Sequence, residues 1–180
     1  MLEDEVLSYL KILNGDVQGV IIKPNSLIFE ENIKMNCFYC GKYNHNWKCP
    51  PRLPDIDFKK MMSEYEHGLI VVMTCHITRQ SEYDKIRNDS SVIVHKILLE
   101  LEKWMYDHNQ PNAVSFIGGS CKLCKGGCGK DHCNNPYMSR TPIEALGINM
   151  IKSMKKYGIT IEFPTDKVMK RIGLLLWQEL

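Results

Sequence analysis

Apolar residues recur along the chain with two different periods, and the switches between them outline its elements. Leu2, Val6, Leu7, Leu10 and Leu13 share one face at helical spacing, and Asn14-Gly15 ends the pattern, so an amphipathic helix is predicted over residues 2–13. Residues 17–23 are rich in β-branched side chains and predict a strand, stopped by Pro24-Asn25-Ser26. No periodic pattern survives from residue 36 to 54, where Asn, Gly and Pro predict a loop; Asp55 or Asp57 then caps a helix running to about residue 65. Gly68 to Met73 is an uninterrupted apolar run, as expected of a strand buried on both faces, with Cys75 at its end.

Ile86, Ile93, Ile97, Leu98, Leu101, Trp104 and Met105 follow at helical spacings and predict a long helix over residues 82–108, packed on the sheet. Residues 113–117 predict a short strand that runs straight into a cysteine-rich loop. Thr141-Pro142-Ile143-Glu144 supplies an N-cap, a proline at the first helical position and an acidic first turn, so one continuous helix is expected from there to Tyr157-Gly158. Residues 159–163 and 172–177 read as two strands, joined by a link too short for a helical crossover and hence antiparallel to each other. These elements predict one α/β domain over residues 1–180. Its mixed, mainly parallel sheet of about five strands would be flanked by helices and carry two cysteine-rich loops, 36–54 and 118–136.

The second loop concentrates the chemistry. Cys121, Cys124, Cys128 and Cys133 fall within thirteen residues at C-x2-C-x3-C-x4-C spacing, with five glycines inside or beside them. Four thiolates converge on one centre only if the backbone turns sharply between them, and glycine permits the positive φ such turns need. Cys37, Cys40 and Cys49 form a second group, C-x2-C-x8-C, followed by Pro50-Pro51. Disulfides are the competing reading, but the chain starts Met-Leu-Glu-Asp-Glu-Val without a basic segment leading into an apolar one, and the spacings are tight for bridge geometry. A reduced, cytoplasmic metal protein is therefore expected.

Zinc sites usually close a tetrahedron from two separated knuckles, whereas a single glycine-rich loop with a proline soon after its last cysteine is nearer to ferredoxin-style ligation of a [4Fe–4S] cluster. Iron–sulfur is favoured on this ground, with zinc as the alternative. The three-cysteine group would leave one iron of a cubane open to a small ligand, or take a fourth ligand from His45; His132 is a candidate for either site. One composite site and two separate sites both fit the spacing. Phe38, Tyr39, Tyr43 and Trp47 are candidates to shield the thiols, and Lys122, Lys125, Lys130 and Arg140 to offset their charge.

Composition narrows the classes. Lys and Arg total 23 against 21 Asp and Glu, a net charge of +2 that gives no electrostatic case for nucleic acid or an anionic membrane. The longest apolar runs fall far short of the roughly 20 residues that span a bilayer. No GxGxxG, Walker loop, GxSxG or HExxH occurs, and no catalytic residue stands out.

Cys37-Phe-Tyr-Cys40 with Cys49-Pro50-Pro51, Cys121-x2-Cys124-x3-Cys128 with Cys133-x2-Pro136, and Thr141-Pro142-Ile143-Glu144-Ala145-Leu146-Gly147-Ile148 together resemble the predicted metal-binding proteins of domain of unknown function 2284. The resemblance covers both cysteine groups and most of the chain. It implies a cysteine-rich metal or iron–sulfur protein of a kind common in anaerobic bacteria and archaea. The chain departs from the family pattern at Asn134, where relatives often carry an arginine. The expected function is electron transfer or a cluster-dependent redox or sulfur reaction on one or two [4Fe–4S] clusters. Its partner would be a redox protein or a small sulfur-containing or anionic ligand. The alternative is a zinc-stabilised binding module or metallochaperone without catalysis.

Overall fold

The computed structural model describes residues 1–179. Helix α1 (Leu2–Leu13) has three acidic residues in its first turn, where they complement the helix dipole, and leads into β1 (Val17–Ile22). A 3₁₀ turn at Pro24–Ser26 precedes α2 (Glu31–Phe38) and α3 (Phe58–Ser63), the latter N-capped by the Asp57 carboxylate, which accepts from the Lys60 amide at 3.0 Å. Strand β2 (His67–His76) is followed by the long α4 (Tyr83–Asp107) and β3 (Val114–Ile117). After the main cysteine loop come a 3₁₀ turn at Glu144–Leu146, α5 (Met150–Lys155) and β4 (Val168–Trp177).

The sheet has four strands in the order β1-β2-β4-β3, and every pairing is antiparallel. This corrects the expected mainly parallel, five-stranded sheet. The apolar run in β2 is indeed buried from Leu69 to Val72, but through helices on one face and helices and loops on the other. The α4 crossover also behaves as expected locally, since β2 and β3 point the same way. Strand β4 then inserts between them, antiparallel to both, to make a split β-α-β arrangement. The expected fifth strand, 159–163, stays out of the sheet; Ile159 is buried in the core while Thr160, Glu162 and Phe163 are exposed.

Two further expectations change. Residues 31–38 form a helix that the polar sequence gave no periodic sign of, and it carries Cys37 in its last turn. The continuous helix expected after Thr141 is broken at Gly147, whose left-handed φ of 89° ends the 3₁₀ turn, and Asn149 starts a fresh helix by accepting from the Lys152 amide. Residues 28–29 and 148–149 meet at that break: the Asn149 amide donates to the Ile28 carbonyl at 2.8 Å.

Alternate rows across the sheet serve different layers. Val20, Ile70, Leu174 and Phe116 stand opposite one another and face the side covered by α3 and α5. The next row, Gly19, Val71, Gly173 and Ile117, faces α1 and α4. Its two glycines are where the helices press closest: a Cβ on Gly19 would lie 2.6 Å from Leu7 Cδ2, and one on Gly173 2.6 Å from Leu98 Cδ1 and 3.0 Å from Val94 Cγ1. Gly173→Ala should therefore push α4 off the sheet and lower stability by about 1–3 kcal/mol, as overpacking does. Denaturant unfolding checks this, and wild-type stability in the variant would refute the contact.

Candidate metal centre

The first cysteine group is shaped by successive tight turns. Amides of Cys40, Tyr43 and Cys49 donate to the carbonyls of Cys37, Cys40 and Asn46 at 3.1, 2.9 and 3.1 Å, and the Asn46 side chain accepts from the Lys48 amide at 3.0 Å. The main loop leaves β3 with the Gly118 amide bonded to the Ile172 carbonyl at 2.8 Å and the Gly119 amide to the Glu144 carboxylate at 3.1 Å. Its far end is fixed to α4. Arg140 pairs with Glu102 while donating to the Tyr137 and Ser139 carbonyls at 2.9 and 3.0 Å, and the buried His95 ring bonds the Met138 carbonyl at 2.9 Å. A neutral His95 must carry its proton on Nε2 to make that bond, and burial holds its pKa below the usual value.

Two side chains lock the loops together. Asn46, 4% exposed, donates to the Cys121 carbonyl at 3.2 Å, and Trp47 Nε1 donates to the Gly129 carbonyl at 2.8 Å. Arg52 lies 4.0 Å above the Trp47 ring and holds it there. Gly129 itself sits where the loop folds back, so that a Cβ would run into the His132 carbonyl and the Asn134 side chain.

The result is one neighbourhood of thiols drawn from both loops. Burial pushes the Cys49 thiol up to about 12, and Cys37, Cys40, Cys128 and Cys121 all add to the shift. Burial likewise raises Cys121, and Cys128, Cys124 and Cys133 are close enough to contribute. Cys37 is raised by burial, then by Glu144 and Cys40. All eight cysteines are free thiols. Among the described residues, no three His, Cys, Asp or Glu side chains stand as a ready-made group for one metal ion. The Asn135 amide donates to Cys124 Sγ at 3.1 Å, and the Cys133 thiol to the Ser139 hydroxyl at 3.5 Å.

The auxiliary candidates separate. His45 is exposed on a cleft beside Cys121, Cys124, Cys128 and Cys133, and His132 is exposed on the main loop. Tyr39 is 79% and Phe38 52% exposed, so these two stand outward rather than over the thiols; Trp47 and Tyr43 are half-buried. Arg140 is committed to Glu102 and not to the sulfurs. Lys125 and Lys130 are exposed, whereas Lys122 is half-buried, with its pKa lowered to about 8 by burial and by Arg171, Arg87 and Lys42. Half-buried Cys75 is the penultimate residue of β2 and lies near Arg171. Glu144, Asn46, Asn135 and Arg171 are site residues that sequence reasoning missed. Each sat in a segment read as a helix start, a polar loop or the link between two strands, and only tertiary contact gives it a role.

A family model described as a predicted metal-binding protein (DUF2284) matches residues 20–177. The chain belongs to this family. No curated protein and no solved structure matches it. The DUF2284 match spans both cysteine groups, and a donor set made of thiols, with an amide aimed at one of the sulfurs, suits a soft metal such as zinc or iron. Among the described residues, no helix is long and apolar enough to cross a membrane.

Two outcomes follow for the DUF2284 centre. A folded thiol that ionises at about 12 instead of 9.0 contributes stability in full below pH 9 and loses it as pH climbs toward 12, because the unfolded chain ionises first. Chelated protein should show this alkaline loss in denaturant unfolding, and Cys49→Ser should reduce it; an identical pH profile in the variant would contradict the assignment. Gly129→Ala should unseat the loop while the sheet stays intact. Bound metal should fall with far-ultraviolet circular dichroism unchanged, and full metal retention would disprove the crowding argument.

Proposed function

We propose that this DUF2284 protein is an iron–sulfur protein. Cys121, Cys124, Cys128 and Cys133 hold a [4Fe–4S] cluster, and Cys37, Cys40 and Cys49 complete a composite centre with it or hold a second cluster. The observation that carries the reading is Cys49, a buried thiol from the first loop whose ionisation feels thiols of both loops. A thiolate there is costly without a bound cation, and crowding several such groups in one place becomes favourable when a metal takes up their charge. The spacing within one glycine-rich loop favours a cluster over zinc as the source of that charge.

When bound, such a cluster supplies one-electron transfer at a potential set by hydrogen bonds to its sulfurs and by solvent exposure. The chain's own contributions are specific. Asn135 donates to the Cys124 sulfur, and Asn46 and Trp47 keep the first loop seated on the second. Glu144 holds the entry to the main loop through the Gly119 amide. A role in electron transfer or in a cluster-dependent redox or sulfur reaction fits this arrangement.

Anaerobic purification followed by an absorption spectrum, with iron, sulfide and zinc measured on the same sample, tests the proposal. A brown protein with about four irons, or about eight for two clusters, is the expected result. A colourless protein with stoichiometric zinc would replace it with a zinc-stabilised module. Cys49→Ser should lower iron content in either cluster arrangement, and Cys124→Ser should remove the main cluster.

A further inference from the structure

A cleft of about 890 Å³ opens between the first cysteine loop, the N-terminal half of α4 and the main loop. That is within the range of about 300–1,000 Å³ typical of small-molecule sites. Its walls carry Lys42, Lys48, Arg87, Lys96, Lys122 and Lys125 against a single carboxylate, Asp89, which is already paired with Lys85 at 3.0 Å. Among the described residues none of the five lining lysines is ion-paired, and Arg87 meets only the exposed Asp84 at 3.3 Å. The chain as a whole has a net charge of only +2, so this excess is local. Val92, Ile93 and Leu123 add an apolar strip to the same cleft.

Behind the cleft lies Arg171, placed to reinforce the field. Its guanidinium is held by neutral oxygens: the Arg87 carbonyl at 3.0 Å, the Gly118 carbonyl at 3.4 Å and the Ser90 hydroxyl at 3.5 Å. It therefore keeps its positive charge without a carboxylate at contact distance; Glu144 acts on it only from further off. A Cβ on Gly119 would come within 3.6 Å of Arg171 and 3.9 Å of the Lys122 ammonium, so both cations border the same small space. Lys42, Arg87, Lys96 and Lys125 are exposed, but Lys122 and Arg171 are half-buried, so the repulsion between these two is screened less than at the surface, and an anion in the concavity relieves it.

We propose that this cleft is a binding site for a small organic oxyanion, held by Lys42, Arg87 and Lys122 beside the main cysteine loop. Multivalent phosphate and polycarboxylate groups share the required chemistry, several oxygens accepting charge-assisted hydrogen bonds from separate cations. The apolar strip accommodates the carbon body that carries them. The same cleft is lined by Cys121, Cys124, Cys128 and Cys133, so the ligand is a direct neighbour of the metal centre whichever metal those cysteines bind.

Isothermal titration of the purified metal-loaded protein with inorganic pyrophosphate and, separately, citrate tests the site at constant ionic strength set with chloride. At least one probe should bind saturably, at about one per chain; pyrophosphate alone marks a phosphate site, and citrate alone a carboxylate site. The double variant Lys42→Gln/Arg87→Gln alters two exposed side chains and leaves the Arg87 carbonyl that holds Arg171 in place. It should weaken binding by about tenfold or more with metal content unchanged. No saturable binding of either probe overturns the proposal, as does equal affinity in the variant. Iron and zinc analysis of the titrated sample separates this outcome from failure of the iron–sulfur reading.

Discussion

Glu102 and Arg140 form the joint at which helix, strand and cysteine loop meet. One carboxylate oxygen of Glu102 accepts both the Ser115 amide of β3, at 2.7 Å, and Arg140 Nε, at 2.8 Å, while the other pairs with the remaining arm of the guanidinium. Arg140 spends its other donors on the Tyr137 and Ser139 carbonyls. Both side chains are mostly buried, at 15% and 19% exposure, so removing either would leave a charge and several polar groups stranded. The main cysteine loop starts at the end of β3 and finishes at this pair. With its entry held by β4 and Glu144 and its exit by α4, the stretch that carries the four thiols is confined between two fixed ends.

That confinement makes the second loop useful. Asn46 and Trp47 reach backbone carbonyls of Cys121 and Gly129, groups that exist in any sequence but are presented only when the main loop holds its shape. The first loop is thus assembled on the second. Two helices mark its limits: α2 delivers Cys37 at its C-terminal end, and α3 starts after it at the Asp57 cap.

Patterns that depend on neighbours in sequence were legible. The faces of α1 and α4, the β-branched run of β1 and the Asp57 cap appear where periodicity and local chemistry place them, within a residue or two. Both cysteine groups stand out in the sequence for the same reason, since cysteine spacing is a local property. Sheet direction was not. Whether β4 lies beside β2 or beyond β3 depends on contacts between residues far apart in the chain, such as those of Leu98 and Val94 over Gly173, more than seventy positions away. Residues 159–163 have strand-forming side chains but pair with no strand of the sheet, and their one buried isoleucine fills the core instead. Gly147 illustrates a finer conflict, in which strong helix-starting chemistry at 141–144 yields to the pairing of Phe29 with Ile148. Sequence left one composite site and two separate sites open, because what brings the two loops together is Asn46 and Trp47, residues with no ligand chemistry of their own.

The distribution of charge around the thiols separates two jobs that lysines can do beside a metal. Cations that merely offset thiolates should have sulfur as their strongest charged company. The ammonium of Lys122 has instead Arg171, Arg87 and Lys42 ahead of Cys121. Arg140, closest in sequence to the last cysteine among the arginines, is spent on Glu102. The positive groups share their cleft with Cys121, Cys124, Cys128 and Cys133, and Lys122 and Lys125 lie within the cysteine loop itself. Of these cations Lys122 and Arg171 are half-buried, and the repulsion between them is screened less than that among the exposed lysines. Negative charge in the cleft, whether from thiolates at the metal centre or from an anionic occupant, offsets that repulsion and gives these cations a reason to stand there.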